Sequence, residues 1–178
     1  SEFNGKPIKS LRTGIMAGSQ CPEVLMRRVL YDLGCSEITI AYGMTETSPI
    51  SFQSDVNDPV DVRVSTVGRI QPHCEVKIVE DDGSTCAVGQ TGELWTKGYL
   101  VMKGYWNDTE ATQSSIENGW MKTGDLATID NEGFCRIVGR KKDMVIRGGE
   151  NIYPAELEEF LTAQKGIQEA HVFGIPDE

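Results

Sequence analysis

The chain is poor in histidine, the residue on which many catalytic and metal sites are built. Only His73 and His171 occur among its 178 residues. A histidine-based catalytic triad or a zinc site needs several ligands that converge, and two distant histidines do not supply them. Both histidines are therefore interpreted as structural.

Cysteine pairs are also lacking. The five cysteines are odd in number and widely spaced, and no Cys-x-x-Cys string occurs. Neither a zinc ribbon nor a dithiol redox centre is therefore supported. The pattern favours reduced, packed thiols and a cytoplasmic protein. These residues are Cys21, Cys35, Cys74, Cys86 and Cys135.

A basic surface and long apolar runs are both missing. The 27 acidic and 17 basic residues give a net charge of −10, and the densest basic run is Arg140–Lys142. Because nucleic-acid binding normally needs a basic face, no nucleic-acid partner is predicted, although a small anion held by a few groups stays possible. No apolar window approaches the roughly 18 residues of a membrane span, so none is predicted.

Near its start the chain carries a strand-helix-strand pattern, over residues 11–17, 22–33 and 37–41. This unit predicts a parallel α/β layer. Its loops, residues 18–21 and 42–47, would leave the carboxyl ends of neighbouring strands. Open α/β sheets bind ligands at that edge, so both loops are candidate site segments.

Beyond residue 60 the pattern changes to alternating strands, with a short helix expected near Asp108. The tail changes again: strands are predicted at 144–147 and 171–175, and Pro154 opens a helix. The predicted fold is thus α/β, then mostly antiparallel β, with an incomplete α+β subdomain at the end. Three regions are predicted. Residues 1–60 and 61–141 together form one domain, and residues 142–178 form the incomplete subdomain.

A hairpin is predicted where two apolar runs, 126–129 and 134–138, flank a turn that contains Asn131 and Gly133. Asp125 precedes it and Arg140 follows it, so the hairpin should bring this acid and base together. A carboxylate accepts hydrogen bonds from two vicinal hydroxyls, and a guanidinium donates several, which suits a sugar. An ordinary surface ion pair is the alternative.

The string Tyr42-Gly-Met-Thr-Glu46 follows the second predicted strand. Its glycine permits a tight turn and close approach of backbone to a ligand. Thr45 offers a hydroxyl, and Glu46 a hard oxygen suited to magnesium. A capped turn without ligand is the alternative.

Read in order, the motifs resemble the adenylate-forming enzymes: acyl- and aryl-CoA synthetases, luciferases and peptide-synthetase adenylation domains. The strings are Tyr42-Gly-x-Thr-Glu46, Thr123-Gly-Asp125, Gly139-Arg140-x-x-Asp143 and Gly148-Gly-Glu-Asn-Ile152. The resemblance covers nearly the whole chain. It implies the C-terminal part of the family's large domain up to residue 141 and the start of its small domain from residue 142.

The resemblance also implies an ATP or AMP site. Tyr42 would stack on adenine, Gly18 and Ser19 would pack against its other face, and Ile137 would border it, unless Ile137 is simply a strand residue facing the core. Asp125 and Arg140 would bind the ribose. Thr45 would contact the phosphates and Glu46 would hold Mg²⁺, so Thr45, Glu46 and Arg140 are the expected catalytic residues. Gly43, beside the acyl pocket, is also expected to bind the nucleotide.

By the same resemblance Lys142 is a hinge between the two domains. Gly148, Gly149 and Glu150 would line the channel for CoA, although a plain glycine turn is the alternative. The segments 92–98 and 104–106 also resemble the family. They are interpreted as structural supports of the hairpin, with no ligand.

Two family features have no counterpart: a Gly/Ser/Thr-rich phosphate loop before Leu11 and a lysine near the C-terminus. The chain is therefore expected to be a fragment that turns over little alone. The expected parent enzyme activates a medium- to long-chain fatty acid with ATP and Mg²⁺ and transfers it to CoA. An aryl-CoA ligase, another adenylate-forming enzyme and a non-catalytic nucleotide-binding or interaction module are the alternatives.

Overall fold

A computed structural model of the chain describes Ile8, residues 10–19 and residues 21–175. The start of the first predicted region and the end of the last one lie outside these described residues. Residue 20 of the first candidate loop also lies outside them. Within them, no helix is both long enough and apolar enough to cross a membrane.

The first sheet begins with the predicted parallel unit. Strand β1 (Thr13–Met16) runs parallel to β2 (Glu37–Gly43), and Thr13 lies opposite Glu37. Helix α1 (Glu23–Tyr31) connects them, with Glu23 in its first turn, where an acid favours the positive end of the helix dipole. This confirms the strand-helix-strand prediction.

Two further strands extend this sheet on the other side of β2, and sequence analysis did not predict them. β3 (Ile50–Gln53) runs antiparallel to β2, and β4 (Arg69–Ile70) runs antiparallel to β3, so the order is β1-β2-β3-β4. Helix α2 (Val60–Ser65) lies between them in the chain. The sheet is therefore mixed, and only its first pair is parallel.

The second sheet is wholly antiparallel. It contains β5 (Cys74–Val79), β6 (Gly92–Gly98), β7 (Ile116–Glu117), β8 (Trp120–Ile129) and β9 (Cys135–Arg140). Strand β8 pairs with β6, β7 and β9. Helix α3 (Thr109–Ser115) precedes β7, and the Asp108 carboxylate accepts a hydrogen bond from the Ala111 N–H at its start. The predicted cap and the antiparallel β region are both confirmed.

Apolar side chains form two core clusters, and the second includes Phe52 from β3 of the first sheet. The first contains Met26, Leu30, Cys35, Ile38, Ile40 and Val64, and the second contains Phe52, Ile78, Leu94, Ala127 and Cys135. Val67 packs against both clusters, and its N–H donates to the Cys135 carbonyl at 2.8 Å. The two sheets are thus joined through both core and backbone, which fixes β2 relative to the hairpin β8–β9.

A 3₁₀ turn (Lys141–Asp143) leads from β9 into the last part of the chain. There β10 (Val145–Arg147) pairs with β11 (Glu150–Ile152), and α4 (Pro154–Thr162) follows. The predicted strand over 171–175 is wrong, because these residues are described and form no strand. A strand needs backbone pairing with a neighbour, and among the described residues no backbone–backbone hydrogen bond involves residues 171–175. The segment is held instead by the Val172 N–H, which donates to the Glu158 carboxylate at 2.8 Å.

Candidate functional site

A cleft of about 930 Å³ opens beside the carboxyl end of β2 and the hairpin β8–β9. Helix α4 and residues 172–175 line its other side. Eight residues proposed from the sequence line it, although they come from four separate parts of the chain. They are Gly18, Ser19, Tyr42, Gly43, Asp125, Ile137, Arg140 and Lys142.

Asp125 lies at the centre of the polar contacts in this cleft. Its Oδ2 accepts a hydrogen bond from the Tyr42 hydroxyl at 2.6 Å. Its Oδ1 lies 3.6 Å from Nε of Arg140. The first distance is that of a strong hydrogen bond to a charged acceptor, whereas the second is a looser ion pair.

The antiparallel register of the hairpin places this acid and base together. Asp125 on β8 lies directly opposite Arg140 on β9. The hairpin turns where the Asp130 carboxylate accepts hydrogen bonds from the N–H groups of Glu132 and Phe134. Behind Asp125, the Thr123 hydroxyl accepts from the Asp125 N–H and donates to the Leu94 carbonyl. The predicted proximity is confirmed, and β6 supports it from behind.

Burial shapes the electrostatics of the pair. The Asp125 side chain is 19% exposed and that of Arg140 is 63% exposed. Desolvation raises the pKa of Asp125, while the Tyr42 hydrogen bond and the Arg140 charge lower it in part. Desolvation, and then the Asp125 charge, also raise the pKa of Tyr42 far above its ordinary value. Tyr42 is therefore a hydrogen-bond donor at neutral pH.

Lone pairs remain on the Asp125 carboxylate for a ligand. A carboxylate offers about four acceptor positions on its two oxygens. Tyr42 takes one on Oδ2, and Arg140 lies beside Oδ1 beyond normal hydrogen-bond length. Arg140 is exposed and keeps donors available. The pair can therefore both accept from and donate to a ligand with vicinal hydroxyls.

The turn after β2 is set by Gly43. A Cβ atom on Gly43 would lie 1.7 Å from the carbonyl oxygen of Pro49, so only glycine fits there. The following 3₁₀ turn, Thr45–Thr47, is closed by the Thr47 hydroxyl, which accepts from the Met44 N–H at 3.2 Å. Thr45 is exposed on this turn and Glu46 is half-buried. Neither lines the cleft, so this part of the predicted site lies beside it.

Glu46 has a neighbour that sequence reasoning missed. The Tyr105 hydroxyl donates a hydrogen bond of 2.7 Å to Oε1 of Glu46. The sequence assigned residues 104–106 to support of the hairpin, but Tyr105 instead contacts the turn after β2. The contact joins residues 59 positions apart, and no local sequence pattern predicts it.

The other lining residues occupy the edges of the cleft. Gly18 has a φ of +91°, which favours glycine, and follows β1 at the same sheet edge as Gly43. Ile137 lines the cleft and also packs against the second core cluster. It is therefore a strand residue that faces the core, and its place beside adenine stays a prediction.

Glu93 is the second residue that the sequence did not single out. Its carboxylate accepts from the Gly124 N–H at 3.3 Å and lies 3.2 Å from Nζ of Lys141. It therefore connects β6 to the residue before Asp125 and to the turn after β9. This supports the interpretation that the 92–98 segment holds up the hairpin.

The three residues expected at a CoA channel lie outside the cleft. Gly148 and Gly149 form the turn between β10 and β11, with φ angles of +61° and +86°. Glu150 opens β11, and all three are exposed. Gly148 and Gly149 form a turn with accessible backbone, and a role of the three residues in a CoA channel stays a prediction.

The described residues hold no ready-made metal centre. Among them, no group of three or more His, Cys, Asp or Glu side chains converges on a common point. Magnesium in nucleotide sites often takes only one or two carboxylates and fills its shell with phosphates and water. A single accessible carboxylate such as Glu46 fits that manner of binding.

The cleft lies beside the carboxyl end of the parallel pair β1–β2, which is the edge where open α/β sheets bind ligands. The profile of the family described as AMP-binding enzyme matches residues 1–106. The chain therefore belongs to the AMP-binding enzyme family.

Two curated relatives are acyl-CoA synthetases or ligases. The putative acyl-CoA synthetase YngI of Bacillus subtilis is 52% identical over 180 residues, which cover 99% of this chain and 32% of YngI. The mitochondrial medium-chain acyl-CoA ligase ACSF2 of Bos taurus is 44% identical over 99% of this chain and 29% of its own. The chain thus spans about a third of the length of these relatives.

The solved structure of o-succinylbenzoate CoA synthetase (MenE) from Bacillus subtilis superposes with a TM-score of 0.87. It holds the acyl-adenylate OSB-AMP, is 36% identical, and the match covers 98% of this chain and 35% of MenE. MenE in complex with ATP and magnesium matches with a TM-score of 0.85 and 37% identity over 99% of this chain and 36% of its own. The fold predicted from the sequence is confirmed, and ATP, AMP and magnesium are ligands of structures in this family.

Proposed function

We propose that this chain supplies the adenosine-binding part of an AMP-forming acyl-CoA synthetase. The observation that carries the proposal is the convergence of Tyr42, Asp125 and Arg140 in one cleft. Membership of the AMP-binding family makes a nucleotide the expected occupant of that cleft.

In this proposal the cleft holds the adenosine. The Tyr42 ring stacks on adenine, and Gly18, Ser19, Gly43 and Ile137 border it. Asp125 accepts hydrogen bonds from the ribose hydroxyls and Arg140 donates to them. The Tyr42–Asp125 hydrogen bond supports this arrangement, because it fixes the base-stacking ring relative to the ribose-binding carboxylate.

Thr45 and Glu46 would face the phosphates, with the Thr45 hydroxyl as a donor and Glu46 as the protein ligand of Mg²⁺. When bound, the ion neutralises negative charge on the phosphates. The exposure of Thr45 and the accessible carboxylate of Glu46 support these roles. Arg140 adds positive charge on the nucleotide side of the reacting groups.

The reaction has two balanced steps. First, a carboxylate oxygen of the acid bonds to the α-phosphorus of ATP, and the bond to the β-phosphate breaks to release pyrophosphate. Then the CoA sulfur bonds to the acyl carbon as its proton leaves, and the bond to AMP breaks. Both anionic partners of the first step must be held in line and shielded from each other, which is the task of the site.

The second step needs access for CoA. Gly148, Gly149 and Glu150 would line its pantetheine channel after a rotation at Lys142. The exposed glycine turn between β10 and β11 supports this role, because its backbone can approach a ligand closely. Lys142 directly follows Lys141. Lys141 is anchored to the second sheet by ion pairs with Asp81 and Glu93. A hinge there would leave the hairpin in place.

The proposed acid is a medium- to long-chain fatty acid. The relationship to ACSF2, a medium-chain acyl-CoA ligase, and to YngI, a putative acyl-CoA synthetase, supports this class. An aryl acid is the second candidate, supported by the likeness to MenE, an o-succinylbenzoate CoA synthetase. ACSF2 is mitochondrial, so the cytoplasmic location of this chain stays a prediction.

A pyrophosphate-release assay on the full-length protein tests the proposal, with fatty acids of graded length and aryl acids as substrates. Fatty acids should support CoA-dependent turnover. Asp125→Ala should weaken ATP use severely. Asp32→Ala, which removes an exposed acid directly after α1, should not. The chain by itself is expected to turn over little. Absence of turnover with every acid, or an unchanged KM for ATP and kcat in Asp125→Ala, would contradict the proposal.

A further inference from the structure

The phenol of Tyr105 lies against the carboxylate of Glu46. Tyr105 belongs to a segment for which no ligand was expected. Its hydroxyl donates to Oε1 of Glu46 at 2.7 Å. Three residues earlier, the Met102 N–H donates to the Glu46 carbonyl at 2.9 Å. The segment after β6 therefore holds both the backbone and the side chain of Glu46.

Tyr105 is itself held from behind, independently of Glu46. Its N–H donates to the Thr112 hydroxyl at 2.9 Å, and that hydroxyl donates to the Asp108 carbonyl at 2.7 Å. Gly104 allows this close approach, because a Cβ there would lie 2.8 Å from Cγ2 of Thr112 at a φ of +150°. The start of α3 thus sets the position of the phenol, and the phenol sets that of the carboxylate.

The hydrogen bond from Tyr105 occupies only one oxygen of the Glu46 carboxylate, Oε1. The interaction with Glu46 is the main cause that raises the pKa of Tyr105, so the phenol keeps its proton at neutral pH. Oε1 therefore has a permanent donor. Among the described residues, none donates a hydrogen bond to Oε2 of Glu46 and no cation pairs with it.

We propose that Tyr105 is a positioning residue that orients Glu46 as a ligand of the nucleotide-bound metal ion. This inference rests on the proposed function, in which Glu46 holds Mg²⁺. Tyr105 occupies Oε1 and leaves Oε2 for the ion, which usually binds a carboxylate through one oxygen in such sites. A flexible glutamate that is already held in place loses less side-chain entropy when the ion binds. Hydrogen-bond partners of metal ligands act in this way at many metal centres.

The test measures Mn²⁺ binding to the full-length protein in the presence of ATP by electron paramagnetic resonance, and the Mg²⁺ dependence of turnover. Tyr105→Phe removes only the hydroxyl. Binding of Mn²⁺ should weaken about tenfold, the lower end of the usual effect of such partners. The Mg²⁺ concentration for half-maximal rate should rise to a similar extent, and the KM for the acid should not change. Equal or tighter Mn²⁺ binding would overturn the inference.

Tyr99→Phe is the matched control, since Tyr99 lies on the same segment and is 76% exposed. It should leave Mn²⁺ binding unchanged. Glu46→Gln separates this inference from the proposed function. If Glu46→Gln weakens Mn²⁺ binding and Tyr105→Phe does not, only the role of Tyr105 is overturned. If Glu46→Gln has no effect, both the inference and the metal role of Glu46 fail.

Discussion

The hydroxyl of Tyr42 donates a hydrogen bond of 2.6 Å to Oδ2 of Asp125, a residue 83 positions further along the chain. Tyr42 lies near the carboxyl end of β2 in the first sheet, and Asp125 lies on the hairpin of the second. This single bond therefore joins the two sheets at the edge of the cleft. It also connects the residue proposed for the base with the residue proposed for the ribose.

Tyr42→Phe should lower the free energy of unfolding by about 1.5 kcal/mol, because a buried carboxylate loses a donor. Urea denaturation of the chain measures this. Tyr31→Phe is the control, since Tyr31 is 65% exposed on α1 and should unfold as the wild type does. Equal stability of the two variants would show that the Tyr42–Asp125 bond does not hold the sheets together.

Asp125→Asn should change how stability depends on pH. Because burial raises the pKa of Asp125, the folded chain binds this proton more tightly than the unfolded chain does. The stability from that proton is present below the unfolded pKa of about 4 and is lost as pH rises through the folded pKa. The Asn variant lacks this loss, so it should gain stability relative to the wild type as pH rises.

Asp55→Asn should change the pH dependence of stability in the opposite direction. Hydrogen bonds from Asn57 lower the pKa of Asp55, so its contribution is present above the unfolded pKa and is lost as pH falls through the folded one. This variant should therefore lose stability relative to the wild type as pH rises. Urea unfolding at a series of pH values measures both variants, and slopes of the same sign would contradict the assignment.

Arg140→Ala should separate binding from stability. The side chain is 63% exposed and lies 3.6 Å from Asp125, so its removal should cost no more than about 1 kcal/mol of folding free energy. Its charged donors should matter more to a nucleotide, and the affinity of the full-length protein for AMP should fall about tenfold. Calorimetric titration measures the affinity. Arg28→Ala, which removes an exposed arginine on α1, should leave it unchanged.

Gly43→Ala and Gly139→Ala are the same chemical change with opposite expected results. At Gly43 the new methyl would overlap the Pro49 carbonyl, so stability should fall by about 3 kcal/mol or the chain should fail to fold. At Gly139 the methyl would meet only Cβ of Ala155, at 4.0 Å, and stability should stay within about 0.5 kcal/mol. Thermal unfolding followed by circular dichroism compares the two. A tolerant Gly43 would mean that the turn after β2 is loose.

The sequence by itself determined the local elements and the proximity of Asp125 to Arg140. Alternation and an Asn/Gly turn encode the hairpin, and a hairpin necessarily brings its two ends together. The helix over Glu23–Tyr31 and the parallel pair beside it also follow from short-range patterns. The motifs, read in order, indicated the family.

Only the tertiary structure decided which side chains meet across the chain. The contacts of Tyr42 with Asp125 and of Tyr105 with Glu46 join residues 83 and 59 positions apart. No spacing rule encodes such contacts, because they depend on how two sheets pack through a shared core. The same reason explains the wrong strand over residues 171–175. The local pattern favoured a strand, but a strand forms only where a backbone partner lies alongside it, and among the described residues none pairs with this segment.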